Sequence, residues 1–143
     1  MEVVRVQTPA QRAGSYYVRI QSMALEHHIS LEQEIDEHDE TDARHVIVLD
    51  DVLAVATGRM YPDSDDVIQF GRIVVLPEYR GKGLGGMVLG ELERWAKELG
   101  YKKVFIASID DKVGFYEQHG YTADYDRFID GDPFNCVYME KEL

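Results

Sequence analysis

The sequence predicts one α/β (mixed α+β) domain over residues 1–143, in the order strand, two helices, three strands, helix, strand, helix, two strands. Three observations carry this. An apolar run, Val74-Val75-Leu76, meets Pro77 and then Arg80-Gly81-Lys82-Gly83-Leu84-Gly85-Gly86, after which an amphipathic segment opens. That is the pattern of a strand, a glycine-rich loop and a helix. Upstream, residues 45–49, 52–61 and 67–76 read as strands, separated by Asp50-Asp51 and by Pro62-Asp63-Ser64-Asp65-Asp66, turn chemistry that folds successive strands into a meander. Finally, 143 residues are enough for one well-buried core and too few for two ordinary domains.

Residues 2–7 alternate weakly and form a first strand. From residue 13 to about 28, Tyr17, Ile20, Met23, Ala24 and His27 recur at helical spacing. Ser30, with Gln33 three residues on, makes a capping box for a second, short helix. The acids Glu32, Glu34, Asp36, Glu37, Asp39, Glu40 and Asp42 that follow read as a solvated loop. The glycine loop opens the main helix, whose stripe is Val88, Leu92, Trp95, Ala96 and Leu99, with Gly100 as its C-terminal cap. Residues 102–107 make a buried strand, and Asp110 or Asp111 caps a last helix that reaches His119 and closes at Gly120. Residues 121–129 and 135–140 form a closing hairpin across Asp130-Gly131-Asp132-Pro133.

Apolar residues at 45% and charged residues at 29% are ordinary for a soluble domain. No apolar run approaches the ~20 residues of a membrane span, and the N-terminus lacks the basic-then-apolar pattern of a signal peptide. Cys136 is the only cysteine, so no intramolecular disulfide forms; a reducing, cytoplasmic location is expected, with Cys136 a small packed residue. The net charge of −12 argues against nucleic acid as a partner and is compatible both with simple solubility and with a cationic small molecule.

The loop is built to hold phosphate oxygens, because residues without Cβ let backbone N–H groups converge next to a helix start. A nucleoside-triphosphate loop is excluded, since Lys82 is followed by Gly83 and no Ser or Thr is present to hold Mg²⁺. Gly81, Gly83 and Gly86 satisfy a dinucleotide fingerprint, with Asp110 near the ribose-binding position. However, Pro77-Glu78-Tyr79-Arg80 separates loop from strand, and only 33 residues follow Asp110.

Arg-Gly-Lys-Gly-Leu-Gly closely resembles the [Gln/Arg]-x-x-Gly-x-[Gly/Ala] loop of the GNAT superfamily of N-acetyltransferases, and Phe115-Tyr116-Glu117-Gln118-His119-Gly120-Tyr121 resembles its second landmark. Within the superfamily the chain looks closest to the ElaA-like branch. Three features carry this: Glu32-Gln33 with its following acids, the run Gly71 to Gly85, and Phe128-Ile129-Asp130-Gly131-Asp132-Pro133. That branch usually continues with His after the Pro; here it is Phe134.

The resemblance implies a central mixed, mostly antiparallel sheet of about seven strands flanked by about four helices, with a splay between strands four and five. It implies acetyl-CoA as co-substrate, held by the backbone of Ile73, Val74 and Val75 and by the loop Arg80, Gly81, Lys82, Gly83, Leu84, Gly85 and Gly86. Leu84 would contribute only its amide. The Val75 N–H would be the oxyanion donor and Tyr116 the general acid, a phenol near pKa ~10 facing a thiolate near ~8.5.

The base is left unassigned. Where some members of the family place a Glu as base, this chain has Gln69, and Ile109 and Lys112 stand near the places of the family's common Asn and Ala. Glu34, Asp65 and Asp66 are weak candidates. The histidines His27, His28, His38, His45 and His119 do not resolve it, and no zinc-site spacing is present, so no metal is expected. The expected acceptor is the primary amine of a small cationic molecule, with the acidic run as a second reading for its mouth. No membrane partner is expected, and a homodimer is the state family members often adopt. The competing reading is a catalytically degenerate module that binds or senses CoA.

Overall fold

Thr8 and Gln11 form a reciprocal capping box ahead of Pro9, so helix α1 (Pro9–Arg19) starts before the point at which the apolar spacing becomes regular. The computed structural model, which describes residues 1–131 and 133–143, places strand β1 (Glu2–Arg5) before this helix. The helix continues through a π-helical turn (Ile20–Ala24) into α2 (Leu25–His27). Short helices α3 (Leu31–Glu34) and α4 (Glu37–Glu40) follow, the first opened by the expected Ser30–Gln33 capping box. Then come β2 (Arg44–Asp50), β3 (Leu53–Pro62), β4 (Val67–Val75) and a 3₁₀ turn (Pro77–Tyr79). The remainder is α5 (Leu84–Glu98), β5 (Lys103–Ser108), α6 (Val113–Gln118), β6 (Thr122–Ile129) and β7 (Cys136–Glu142).

The seven strands form one sheet in the order β1-β2-β3-β4-β5-β7-β6. Every neighbouring pair is antiparallel except β4 and β5, which are parallel. The mixed, mostly antiparallel sheet therefore stands as expected. Asp132, which the sequence assigns to the link of the closing hairpin, lies outside the described residues. No helix among the described residues is long and apolar enough to cross a membrane.

Two helix faces differ from their predicted stripes. On α1 and its π turn the buried residues are Ser15, Val18, Arg19, Ser22 and Ala24, while Tyr17 faces solvent. The reason is polar pairing: Ser15 Oγ lies 2.6 Å from Thr57 Oγ1, and Arg19 is sunk among carboxylates. Hydropathy alone misses a buried face built of satisfied polar groups. On α5 the buried stripe is Leu84, Val88, Leu89, Leu92 and Ala96. Trp95 is only half-buried, lying between the guanidinium groups of Arg5 and Arg44 at 5.1 and 5.6 Å, and Leu99 is exposed.

Gly58 is why α5 lies so close to the sheet. A Cβ there would sit 2.6 Å from Val88 Cγ1 and 3.0 Å from Ile73 Cγ1, well inside contact distance. Gly58 also marks an irregularity in the ladder. Thr57 pairs with Val74 and Arg59 with Gly71, so one residue of β3 faces two of β4, Arg72 and Ile73. Arg72 takes a left-handed backbone (φ 52°) in this bulge, which re-aims its side chain. The last helix also departs from expectation: Lys112 is its N-cap, and a 3₁₀ turn (Asp110–Lys112) replaces the predicted aspartate side-chain cap.

Candidate active site

The parallel pairing of β4 with β5 runs only from Val67↔Lys103 to Phe70↔Ile106, although β4 continues to Val75 against β3. The strands therefore part beyond Phe70, and the backbone groups of Ile73 and Val75 that point away from β3 face the gap. Their carbonyls show this directly. Ile73 O accepts from Lys112 Nζ at 3.1 Å, and Val75 O accepts from Ser22 Oγ at 3.2 Å and Arg80 Nε at 3.0 Å. Backbone direction alternates along a strand, so the Val75 N–H points into the same gap while Leu76 N bonds back to Val55.

Two clefts open from this gap. One, of about 410 Å³, is lined by Val75, Arg80, Gly85, Phe115 and the inner face of α2. The other, of about 230 Å³, is lined by Arg59, Tyr61, Gln69, Arg72, Phe134 and Cys136, among others. Met23, Ile73, Val74, Ile109, Lys112 and Tyr116 line both, so the clefts meet where β4 and β5 part.

At the far end of the first cleft the glycine loop meets α5. Gly81 and Gly83 have φ of 78° and 81°, and a Cβ at either would meet nothing within 4 Å. Gly83 is the N-cap of α5 and supplies no side-chain cap, so the first N–H groups of the helix are left without intrahelical partners. Leu84 is buried in the core, as expected of a residue contributing only its amide. Arg80 turns away from the loop, its Nη1 and Nη2 on the carboxylate of Glu26 at 3.0 and 2.8 Å. Lys82 lies over the Tyr79 ring at 5.1 Å.

Tyr116, on α6, is 4% exposed and faces the junction of the clefts. Its hydroxyl makes no hydrogen bond to any described residue. Burial pushes its pKa well above the ordinary phenol value, with the nearby Cys136 adding to the rise. This corrects the expected near match to a thiol: the phenol stays protonated at all working pH values but gives up its proton less readily.

The acidic run is solvated only in part: Glu32, Glu37, Glu40 and Asp42 are exposed, but three of its acids turn inward. Glu34 and Asp39 are 2% and 5% exposed. Arg19 pairs with Glu34 at 3.1 Å and with Asp39 at 2.7 Å; Arg59 pairs with Asp36 at 2.6 Å; Arg72 pairs with Glu34 at 2.9 Å. His45 joins through Nε2 to Asp39 Oδ1 at 3.0 Å, while its Nδ1 has no partner among the described residues. A neutral ring with its proton on Nε2 fits these contacts, and burial lowers its pKa ahead of the opposing bond to Asp39.

Of the three base candidates, Glu34 is spent on Arg19 and Arg72, and Asp65 and Asp66 sit in the exposed β3–β4 turn; none lines either cleft. Gln69 does line the second cleft.

Lys112 and the arginine cluster were missed as site residues. A signal was present. Arg59 and Arg72 interrupt apolar strands, and a charge inside a strand of that kind requires a partner. Lys112 carries no such mark, because its burial arises only when the turn before α6 folds over Ile73.

Residues 12–121 match the family model for the acetyltransferase (GNAT) family. The chain belongs to the GNAT family. A Bacillus subtilis relative, YjcF, named as an uncharacterized N-acetyltransferase, is 31% identical over 123 residues, covering 86% of each chain. The crystal structure of a candidate N-acetyltransferase from Lactobacillus plantarum superposes with a TM-score of 0.90 at 31% identity, over 99% of this chain and 97% of that one. Escherichia coli ElaA superposes with a TM-score of 0.82 at 20% identity over 99% of both chains, a likeness of fold consistent with the ElaA-like branch. A GNAT acetyltransferase from Elizabethkingia anophelis, solved with acetyl-CoA bound, has a TM-score of 0.72 at 15% identity, covering 99% of this chain and 97% of that one. The GNAT fold accounts for the parting strands, the glycine loop and Tyr116 standing together at one end of the sheet.

Proposed function

We propose that this protein is an acetyl-CoA-dependent N-acetyltransferase that moves an acetyl group to a primary amine. The observation that carries the reading is the meeting of two clefts at Ile73 and Val74, with Tyr116 lining both. The first cleft fits a pantetheine arm and its pyrophosphate. The unpaired N–H groups at the start of α5 would take the phosphates, in space left open by Gly81 and Gly83. Arg80, released from Glu26, would add charge there. Acetyl-CoA supplies an acetyl group activated as a thioester.

This chain's groups then act in sequence. The Val75 N–H points to where the thioester oxygen gains negative charge, an interaction worth a few kcal/mol in a dry site. A neutral acceptor amine enters through the second cleft and attacks the thioester carbon. The N–C bond forms, the C–S bond breaks, and the nitrogen gives one proton to water in the cleft. The Tyr116 hydroxyl gives its proton to the departing sulfur and is later reprotonated from solvent. The products are an N-acetyl compound and the free thiol.

The test is thiol release from acetyl-CoA by the purified protein across amino acids, amino sugars, polyamines and basic peptides. Mass spectrometry should show one added acetyl group on the acceptor. Acetyl-CoA binding without turnover on the whole panel would support the non-catalytic module instead, and NAD binding in place of acetyl-CoA would revive the dinucleotide reading.

A further inference from the structure

The charge of the second cleft runs against the net charge of the chain. Its charged lining residues are Arg59, Arg72 and Lys112, and no carboxylate among the described residues joins them. Of the seven acids expected at its mouth, Glu34, Asp36 and Asp39 turn inward onto arginines and none of the seven lines the cleft, which weakens the support they gave to a cationic acceptor.

The three cations are not equivalent. Arg59 has Nη1 and Nη2 at 2.6 and 2.7 Å from the two oxygens of Asp36, and its one unpartnered nitrogen among the described residues, Nε, is buried. Arg72 directs Nε to Glu34 and Nη2 to Asp36 and the Gln33 carbonyl, leaving Nη1 without a partner among the described residues. Lys112 has no ion-pair partner among the described residues. Its Nζ holds Ile73 O at 3.1 Å, and an ammonium has two further N–H groups to place. Burial lowers its pKa and Arg80 adds to the lowering, against the charges of Asp111, Glu26 and Glu34, none of them within ion-pair distance. A half-buried ammonium at the junction of two clefts, without a counter-ion, is costly on its own and favourable once an anion arrives.

We propose that the acceptor is a small primary amine that also carries a carboxylate, and that Lys112 receives this carboxylate, with Arg72 lining the same cleft. This rests on the transferase reading above. The cleft's 230 Å³ lies below the ~300–1,000 Å³ of drug-sized sites, which suits a molecule of amino-acid size. Gln69, a neutral amide in the same lining, brings no charge that would select a second cation.

The experiment compares matched acceptors by thiol release: lysine, lysinamide and cadaverine, then alanine, alaninamide and ethylamine, with phosphoethanolamine as the phosphate arm. The amides carry the less basic amines, so chemistry alone favours them, and a preference for the acids must come from binding. Expected is a kcat/KM for the acids roughly 10- to 100-fold above their amides and decarboxylated partners, the size of a hydrogen bond to a charged group. In Lys112→Met this gap closes, chiefly through KM for the amine, and Lys112→Arg restores part of it. Should Lys112→Met fail to fold, the acid-to-amide ratio of the unmodified protein decides alone. Amides or diamines matching the acids, phosphoethanolamine outrunning them, an unchanged gap in Lys112→Met, or a change confined to KM for acetyl-CoA would each overturn the proposal. Turnover of amides and diamines without acids defeats this inference alone. Absence of turnover with every amine defeats the transferase reading, and this one with it.

Discussion

Arg80 bridges from the glycine loop to α2, its two terminal nitrogens on the two carboxylate oxygens of Glu26 at 3.0 and 2.8 Å. Both side chains are well exposed, at 45% and 36%, so the pair is held by no more than about 1 kcal/mol. A phosphate arriving at the loop competes on favourable terms. Glu26→Gln removes the competitor and one negative charge beside the phosphate site. The expected result is a gain in acetyl-CoA affinity of up to about five-fold by calorimetric titration, an amount within that energy. Unchanged or weaker binding would mean that Arg80 stays where it is and does not serve the phosphates.

Gly83 is constrained by conformation and by the ligand rather than by neighbours. Its φ of 81° strains any residue with a Cβ, yet a Cβ would meet nothing within 4 Å. Gly83→Val is therefore expected to cost about 1–2 kcal/mol of stability while abolishing detectable acetyl-CoA binding. Denaturant titration and calorimetry together separate the two effects. Intact binding in a folded Gly83→Val protein would remove the loop from the phosphate site.

Tyr116→Phe isolates one proton. The hydroxyl has no hydrogen-bond partner among the described residues, so the substitution should leave the denaturation midpoint unchanged or slightly higher. Turnover should fall by roughly 10²–10⁴, with acetyl-CoA affinity little altered. A small fall would assign the sulfur's proton to water. A loss of stability would make the hydroxyl structural.

The buried cluster makes the fold sensitive to acid. His45 is kept from protonating by burial, whereas the unfolded chain takes up that proton below about pH 6.5. Stability is thus complete above about pH 6.5 and falls as pH drops toward the lowered folded value, by at most about 1.4 kcal/mol per pH unit for one proton. Burial alone would raise the Asp39 carboxyl, but hydrogen bonds from His45 and Arg19 outweigh it and hold it well below the usual carboxylate range. Asp39 therefore adds a second loss below about pH 3.9. Urea midpoints measured from pH 7 to 4 should fall in the unmodified protein and stay flatter in His45→Gln. Parallel slopes would assign the sensitivity to other groups.

What was legible in the sequence follows from where its signals are local. Alternation and turn residues place all seven strands, and the Ser30–Gln33 box and Gly100 are read correctly because caps need only their own neighbours. Arg80 to Gly86 and Tyr116 are likewise short linear patterns. The errors arise where partners are distant in sequence. Arg19 in a buried helix face is explained only by Glu34 and Asp39, and the half-buried Trp95 only by Arg5 and Arg44. The charge of the second cleft needed the folded chain, because Glu34, Asp36 and Asp39 turn onto arginines while Arg59, Arg72 and Lys112, far apart in sequence, come together to line the cavity.

Arg19, Arg59 and Arg72 face Glu34, Asp36 and Asp39 as a closed set. Removing Arg19, Glu34, Asp39 or Arg59, each almost wholly buried, unbalances charge in the interior at about 3–5 kcal/mol, a large share of what a domain of this size has to spare. Exchanging the whole set for apolar residues of equal volume is close to neutral. Point-by-point drift through this region is therefore blocked, while wholesale replacement is open. Descendants of this sequence should hold either all four of the buried residues Arg19, Glu34, Asp39 and Arg59 or none of them. Arg59 belongs to the set and also lines the second cleft, so the preference for acceptor at that wall would change by jumps, in step with the interior rather than with the surface.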